Sequence, residues 1–323
     1  MLYASLAVVA GLALLVWSAD RFIDGAASLA RHLGVSTLII GMVIVGFGTS
    51  APELMVSTIA ALQGNPGLAV GNAIGSNIAN IALILGVTAL LVPLTVHSGI
   101  LRKELPVLLG ATFAAWFLLI DGTLSRMDGL LLLATLFGYM GWVTHSALQQ
   151  RNDVVVAEFA EEIPEEMPLG KSVLWTIIGL LVLLASSRLL VWGAVEIATA
   201  LGVSDLVIGL TIVAIGTSLP ELAASITSAR KGEPDLAIGN IIGSNLFNLL
   251  GVLGIPGVLS PLALPEQVNT RDYPVMLGLT IALFALAYGW GRGTPQIGRI
   301  GALMLLIVFV GYQITLFVSA SPV

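Results

Sequence analysis

A chain of 323 residues that is 57% hydrophobic and 10% charged, with a net charge of −6, cannot keep its surface in water, since soluble domains carry about 25% charged residues. Its mean hydropathy of +1.01 makes lipid the solvent for most of the sequence, and the length allows roughly ten membrane helices and no sizeable soluble domain. The absence of cysteine excludes disulfides and thiolate metal sites, and His32, His97 and His145 stand too far apart to form a ligand pattern.

Apolar stretches predict helices near 2–32, 35–62, 67–93, 104–120 and 128–148. The N-terminus lacks a basic n-region and its first charge is Asp20, so the first stretch reads as a retained span, not a cleaved signal. Asp20, Arg21 and Asp24 follow that apolar run and are expected at the inner interface. Residues 149–170 hold six acidic residues, with Pro164 and Pro168, and read as a solvated tether. A second set of apolar stretches follows near 171–200, 203–229, 235–260, 273–290 and 297–318. Arg188 and Glu196 share one face of the first of these, where a snorkelling or structural role is expected.

An internal repeat organises the whole chain. Shifting the sequence by 168 residues lays 46–80 on 214–248 without a gap, with 19 of 35 positions identical. The segment GTS-PEL at 48–54 returns at 216–222, and GN-IGSN-N at 71–80 returns at 239–248. The expected units are residues 1–148, a first five-helix repeat; 149–170, an acidic cytoplasmic linker; and 171–323, a second five-helix repeat. Five spans is an odd number, so the second unit enters the membrane from the opposite side, an arrangement typical of secondary transporters. The expected fold is an all-α membrane protein with ten transmembrane helices, two inverted repeats, and broken helices 2 and 7. With both termini outside, ten of the 13 Lys and Arg residues fall on the inner side, as the positive-inside rule asks.

The repeated motifs carry the chemistry. Thr49, Ser50 and Glu53 share a helix face, as do Thr217, Ser218 and Glu221. Pro52 and Pro220 cannot donate to the carbonyls of Gly48 and Gly216, so each helix is expected to break beside its carboxylate. Asn72, Ser76 and Asn80 form a polar stripe four residues apart, matched by Asn240, Ser244 and Asn248. The glycine pairs 71/75 and 239/243 let a neighbouring backbone approach. This set offers carboxylates, hydroxyls, amides and freed carbonyls without sulfur or imidazole, the donors of hard cations such as Ca²⁺ and Na⁺. A charge at the bilayer centre costs roughly 2.5–3.5 kcal/mol, and no basic residue lies in either motif core, so a bound cation or a proton must offset Glu53 and Glu221.

These motifs resemble the two alpha repeats of the calcium:cation antiporter superfamily, in particular the prokaryotic sodium/calcium exchangers, over essentially the whole chain. The resemblance implies a sodium/calcium antiporter in the bacterial inner membrane, working by alternating access, with the first and sixth spans sliding across a core bundle. It implies ion ligands at Thr49, Ser50, Glu53, Ser76 and Asn80, and at Thr217, Ser218, Glu221, Ser244 and Asn248, with backbone oxygens near Gly46 and Ala214. Asn248 stands where potassium-cotransporting relatives have Asp, which argues against potassium dependence. Ca²⁺ and Na⁺ are then the substrates; neither a cofactor, a nucleic acid nor an obligatory protein partner is implied. A proton-coupled calcium exchanger of the same fold, a passive cation channel, and an intramembrane enzyme using the carboxylates as an acid–base pair remain as alternatives. The last lacks any nucleophile or cofactor motif.

Overall fold

A computed structural model describes residues 1–33, 49–96, 99–149, 167–232, 234–288 and 296–320. The protein is mostly helical, and every predicted apolar stretch contains a helix. The first half holds α1 (Leu2–His32), α2 (Ala51–Leu62), α3 (Pro66–Leu91), α4 (Gly99–Leu119) and α5 (Arg126–Gln149). The second holds α6 (Leu169–Leu201), α7 (Asp205–Thr217), α8 (Leu219–Lys231), α9 (Pro234–Leu259), α10 (Tyr273–Tyr288) and α11 (Arg299–Ala320). Among the described residues, α1, α3, α6, α9 and α11 are long and apolar enough to cross a membrane, and α7 with α8, bent by 42°, makes a sixth such segment. The first part of the predicted helix at 35–62 lies outside the described residues, as does most of the acidic linker.

Local chemistry sets the boundaries. Pro52 and Pro220 occupy the first turns of α2 and α8, where a missing N–H breaks no helical bond. The expected break therefore falls at Ser218, between α7 and α8, just before the proline. The repeat visible in the sequence is carried into structure: α2 and α3 start 168 residues before α8 and α9. Each of α3 and α9 contains a π-helical stretch, at Ala79–Ile84 and Asn248–Val252. Such stretches insert an extra residue into the helical turn and are frequent at functional sites.

Four two-residue strands depart from the all-α expectation. β1 (Leu94–Thr95) pairs antiparallel with β4 (Gln296–Ile297), and β2 (Thr123–Leu124) with β3 (Leu262–Ala263). Each ribbon joins one half of the chain to the other and pairs backbone groups that the helix ends leave over.

Close glycine contacts fix the helices that frame the site. Along α3, Gly67, Gly71 and Gly75 lie successively against Asp205–Leu206, Leu206–Leu210 and Leu210–Ala214, so α3 and α7 run parallel. Gly209 of α7 returns the contact against Leu68 and Asn72. The approach expected of Gly71 and Gly75 is thus made, with α7 as the neighbour, whereas Gly243, expected to allow the same approach, meets nothing within 4 Å among the described residues. Two apolar clusters divide the interior: the larger gathers α3, α4, α9, α10 and α11, the smaller α1 and α6 with parts of α2, α3 and α7.

The repeat also reaches the fourth helices, where Lys103-Glu104 and Arg271-Asp272 stand 168 residues apart. Asp272 is fully buried, accepts from Arg271 Nε at 2.7 Å, and takes the Tyr312 hydroxyl at 2.9 Å. Glu104 is buried close enough to Tyr139 for its charge to act there. In the second half the Asp272 carboxylate thus ties the start of α10 to α11.

Candidate cation site

Glu53 sits in the first turn of α2 and Glu221 in the first turn of α8, both without solvent exposure. Ser218, which precedes the first turn of α8, reaches Glu53, so the two helix starts meet. Serines hold one oxygen of each. The Ser218 hydroxyl donates to Glu53 Oε1 at 3.2 Å, across the interface between the halves, and the Ser244 hydroxyl donates to Glu221 Oε1 at 3.4 Å, within the second half. The other oxygen of each carboxylate, Oε2, is buried without a hydrogen-bond partner.

A symmetric polar frame surrounds them. The Thr217 hydroxyl donates to Asn72 Oδ1 at 3.2 Å, and Asn72 Nδ2 donates to Ser57 Oγ at 3.0 Å and to the Glu53 carbonyl at 3.2 Å. In the other half Thr49 donates to Asn240 Oδ1 at 3.4 Å, and Asn240 Nδ2 to Ser225 Oγ at 3.4 Å. These two Thr–Asn–Ser chains occupy equivalent repeat positions and cross between the halves. Thr49 also meets the Ser244 hydroxyl at 3.4 Å, and Ser76 donates to Asn72 Oδ1 at 3.5 Å. The frame is symmetric while the serine contacts to the two carboxylates are not.

Asn80 and Asn248 lie in the π-helical stretches, fully buried, with both side-chain polar atoms unpartnered. The Ser50 hydroxyl is likewise buried and unpartnered. Buried polar atoms are nearly always hydrogen-bonded, so such a concentration needs a reason. Carboxylate, hydroxyl and amide oxygens without a basic side chain in any of these contacts make the donor set of a hard cation. Among the described residues no group of three or more His, Cys, Asp or Glu gathers anywhere, so the acidity at this place comes from the two glutamates.

Of the residues selected from the sequence, hydrogen bonds link Thr49, Glu53, Ser76, Thr217, Ser218, Glu221 and Ser244 into this frame. Ser50, Asn80 and Asn248 are buried without joining it. Gly46 lies outside the described residues. The Ala214 carbonyl is buried but already accepts the Ser218 N–H at 3.2 Å and the Thr217 hydroxyl at 3.4 Å. Ser57 and Ser225 escaped the sequence reading. Their identity at equivalent repeat positions was the available signal, four residues beyond each glutamate.

The chain matches the family described as sodium/calcium exchanger protein over residues 3–145 and 171–318. It is 47% identical to CaxA of Alkalimonas amylolytica over 99% of this chain and 100% of that protein. It is 45% identical to the inner membrane protein YrbG of Escherichia coli over 94% of each. Among solved structures, the sodium-calcium exchanger NCX_Mj soaked with Na⁺ and Sr²⁺ is 34% identical, with a TM-score of 0.63 over 96% of this chain and 97% of that one.

Proposed function

The chain belongs to the sodium/calcium exchanger protein family, a family of membrane transporters, and from that premise we propose that it exchanges Ca²⁺ for Na⁺ by alternating access, with Glu53 and Glu221 as principal ligands. One observation carries the reading: two fully buried carboxylates, one from each half, each keep an oxygen free of hydrogen bonds amid neutral oxygen donors. Ser50, Ser76, Asn80, Ser218, Ser244 and Asn248 complete the ligand set, with Thr49 and Thr217, and backbone oxygens near Gly46 and Ala214 at its margin. Two negative charges balance one Ca²⁺ or most of the charge on two or three Na⁺. An unloaded site leaves two uncompensated buried carboxylates, so the empty protein crosses between states slowly and transport stays coupled.

In this reading the helices form ten spans in two inverted repeats, 1–148 and 171–323, joined by a cytoplasmic linker at 149–170, with both termini on the outer face of a bacterial inner membrane. The recurrence of helices, π-helical stretches and crossed Thr–Asn–Ser chains at equivalent positions supports the two-repeat arrangement.

Radioactive calcium uptake into Na⁺-loaded vesicles, diluted into Na⁺-free buffer, tests the coupling. Uptake that requires internal Na⁺ and vanishes with Glu221→Gln is the expected result. Uptake indifferent to Na⁺ but driven by a proton gradient would replace the coupling ion, because protons compete for the same carboxylates. Flux without any counter-ion would mean a channel.

A further inference from the structure

We propose that the outward face of the α1–α6 pair draws phospholipid headgroups into the membrane and thins the bilayer locally. This rests on the chain's place in a membrane, not on which ions it carries. The two helices run antiparallel, since Gly11 lies against Leu190, Phe22 against Gly179 and Gly25 against Thr176. Asp20 is therefore level with Leu181, and Arg188 with Ala13. At 31 and 33 residues, both helices exceed what a hydrocarbon core of about 30 Å requires.

Two polar belts cross the exposed face. One holds Trp17, Arg21, Asp24 and Trp175: the Trp rings meet edge-on at 6.1 Å, the Arg21 guanidinium lies 5.7 Å from the Trp175 ring centroid, and Arg21 pairs with Asp24 at 3.3 Å. The other is a stripe of Arg188, Trp192 and Glu196, all exposed. Clustered Trp and charge mark a membrane–water interface. Asp20, Arg188 and Glu196 are exposed and make no hydrogen bond or ion pair among the described residues.

The inner charges of the two belts stand too close together for an ordinary bilayer, although the outermost, Asp24 and Glu196, lie about 28 Å apart by helical rise. The levels of Arg21 and Trp192 are about 18 Å apart along the helices, and those of Asp20 and Arg188 about 10 Å, by helical rise; any tilt shortens both. A hydrocarbon core of about 30 Å placed between Asp24 and Glu196 would leave Asp20 and Arg188 inside it, where a central charge costs roughly 2.5–3.5 kcal/mol. Bringing phosphates and water to both belts removes that cost from each charge in turn, against a mismatch cost of fractions of a kcal/mol per Å. The exposed face of α11 carries no such belt, since it presents Met304, Ile307, Val310 and Ile314 and has no charge after Arg299.

The chain has no cysteine, so single-cysteine probes read this face directly. In vesicles, Leu181→Cys and Ala13→Cys should react with a charged, water-soluble maleimide, while Val310→Cys, lipid-facing in mid-helix, should not. Protection of both at the Val310→Cys level overturns the proposal. Cross-linking between copies through either position also overturns it, in favour of a second copy covering the face. A second measurement compares calcium uptake in vesicles of monounsaturated lipids with chains from about 14 to about 22 carbons. The wild type should be fastest in the thinner membranes, and the double variant Asp20→Leu with Arg188→Leu should have its optimum moved to longer chains. Identical profiles would contradict the account. Loss of uptake in every variant and lipid, with labelling as expected, would fault the exchange reading and leave the lipid face standing.

Discussion

Glu53 and Glu221 each have one oxygen held by a serine and one left over, and the two held oxygens are not held alike. Ser218 reaches across the repeat interface to Glu53, whereas Ser244 reaches Glu221 from its own half. An ion that binds between the carboxylates replaces their mutual repulsion with attraction, while protons compete for the same oxygens. Calcium affinity should therefore fall as pH drops from about 8 to about 5.5, because proton and cation compete for the same carboxylate oxygens; a calcium titration repeated across that range checks this. Asn72 has a different task. It accepts from Thr217 and Ser76 and donates to Ser57 and the Glu53 carbonyl. Asn72→Ala leaves several of these groups buried and unpaired, which should cost about 2–3 kcal/mol. Thermal unfolding in detergent should show that loss, and an unchanged midpoint would remove Asn72 from the frame.

At the scale of elements, proline and glycine position the carboxylates. Pro52 and Pro220 start helices whose first turns present the glutamates, and the glycines of α3 allow α7 to lie directly on it. A Cβ at Gly75 would stand 2.7 Å from the Ala214 side chain and 2.8 Å from Leu210 Cα. Gly75→Val should accordingly separate α3 from α7 and destabilise the fold by about 1–3 kcal/mol, the usual range for overpacking. A melting experiment is the check, with Gly110→Ala, which meets nothing within 4 Å, as the comparison. The break at Ser218 and the contacts of Gly71 and Gly75 were legible in the sequence because a missing N–H and a missing side chain have fixed consequences. The π-helical stretches at Asn80 and Asn248 were not, since one extra residue in a turn leaves no mark on apolar periodicity. The short strands were likewise invisible, being two residues long and paired only through tertiary proximity.

For the whole molecule, the repeat was the most informative feature. It fixed the equivalence of Glu53 with Glu221 before any coordinates, because a buried charge doubled at a constant offset has few structural explanations. The same offset held more than was read from it. Ser57 with Ser225, and Lys103-Glu104 with Arg271-Asp272, lie in register too, but a serine in a membrane helix ordinarily passes for packing and a charged pair at a helix start for an interface. The register in which α1 seats on α6 could not be anticipated, since it depends on which glycines meet across the pair. The central claim is that the two halves together hold the transported cation on a pair of glutamates. Equilibrium binding of radioactive calcium to the purified protein tests it most directly, using wild type, Glu53→Gln and Glu221→Gln, each with and without Na⁺. The account predicts saturable binding that Na⁺ displaces and that either substitution abolishes while the protein remains folded; wild-type binding in either variant would contradict it.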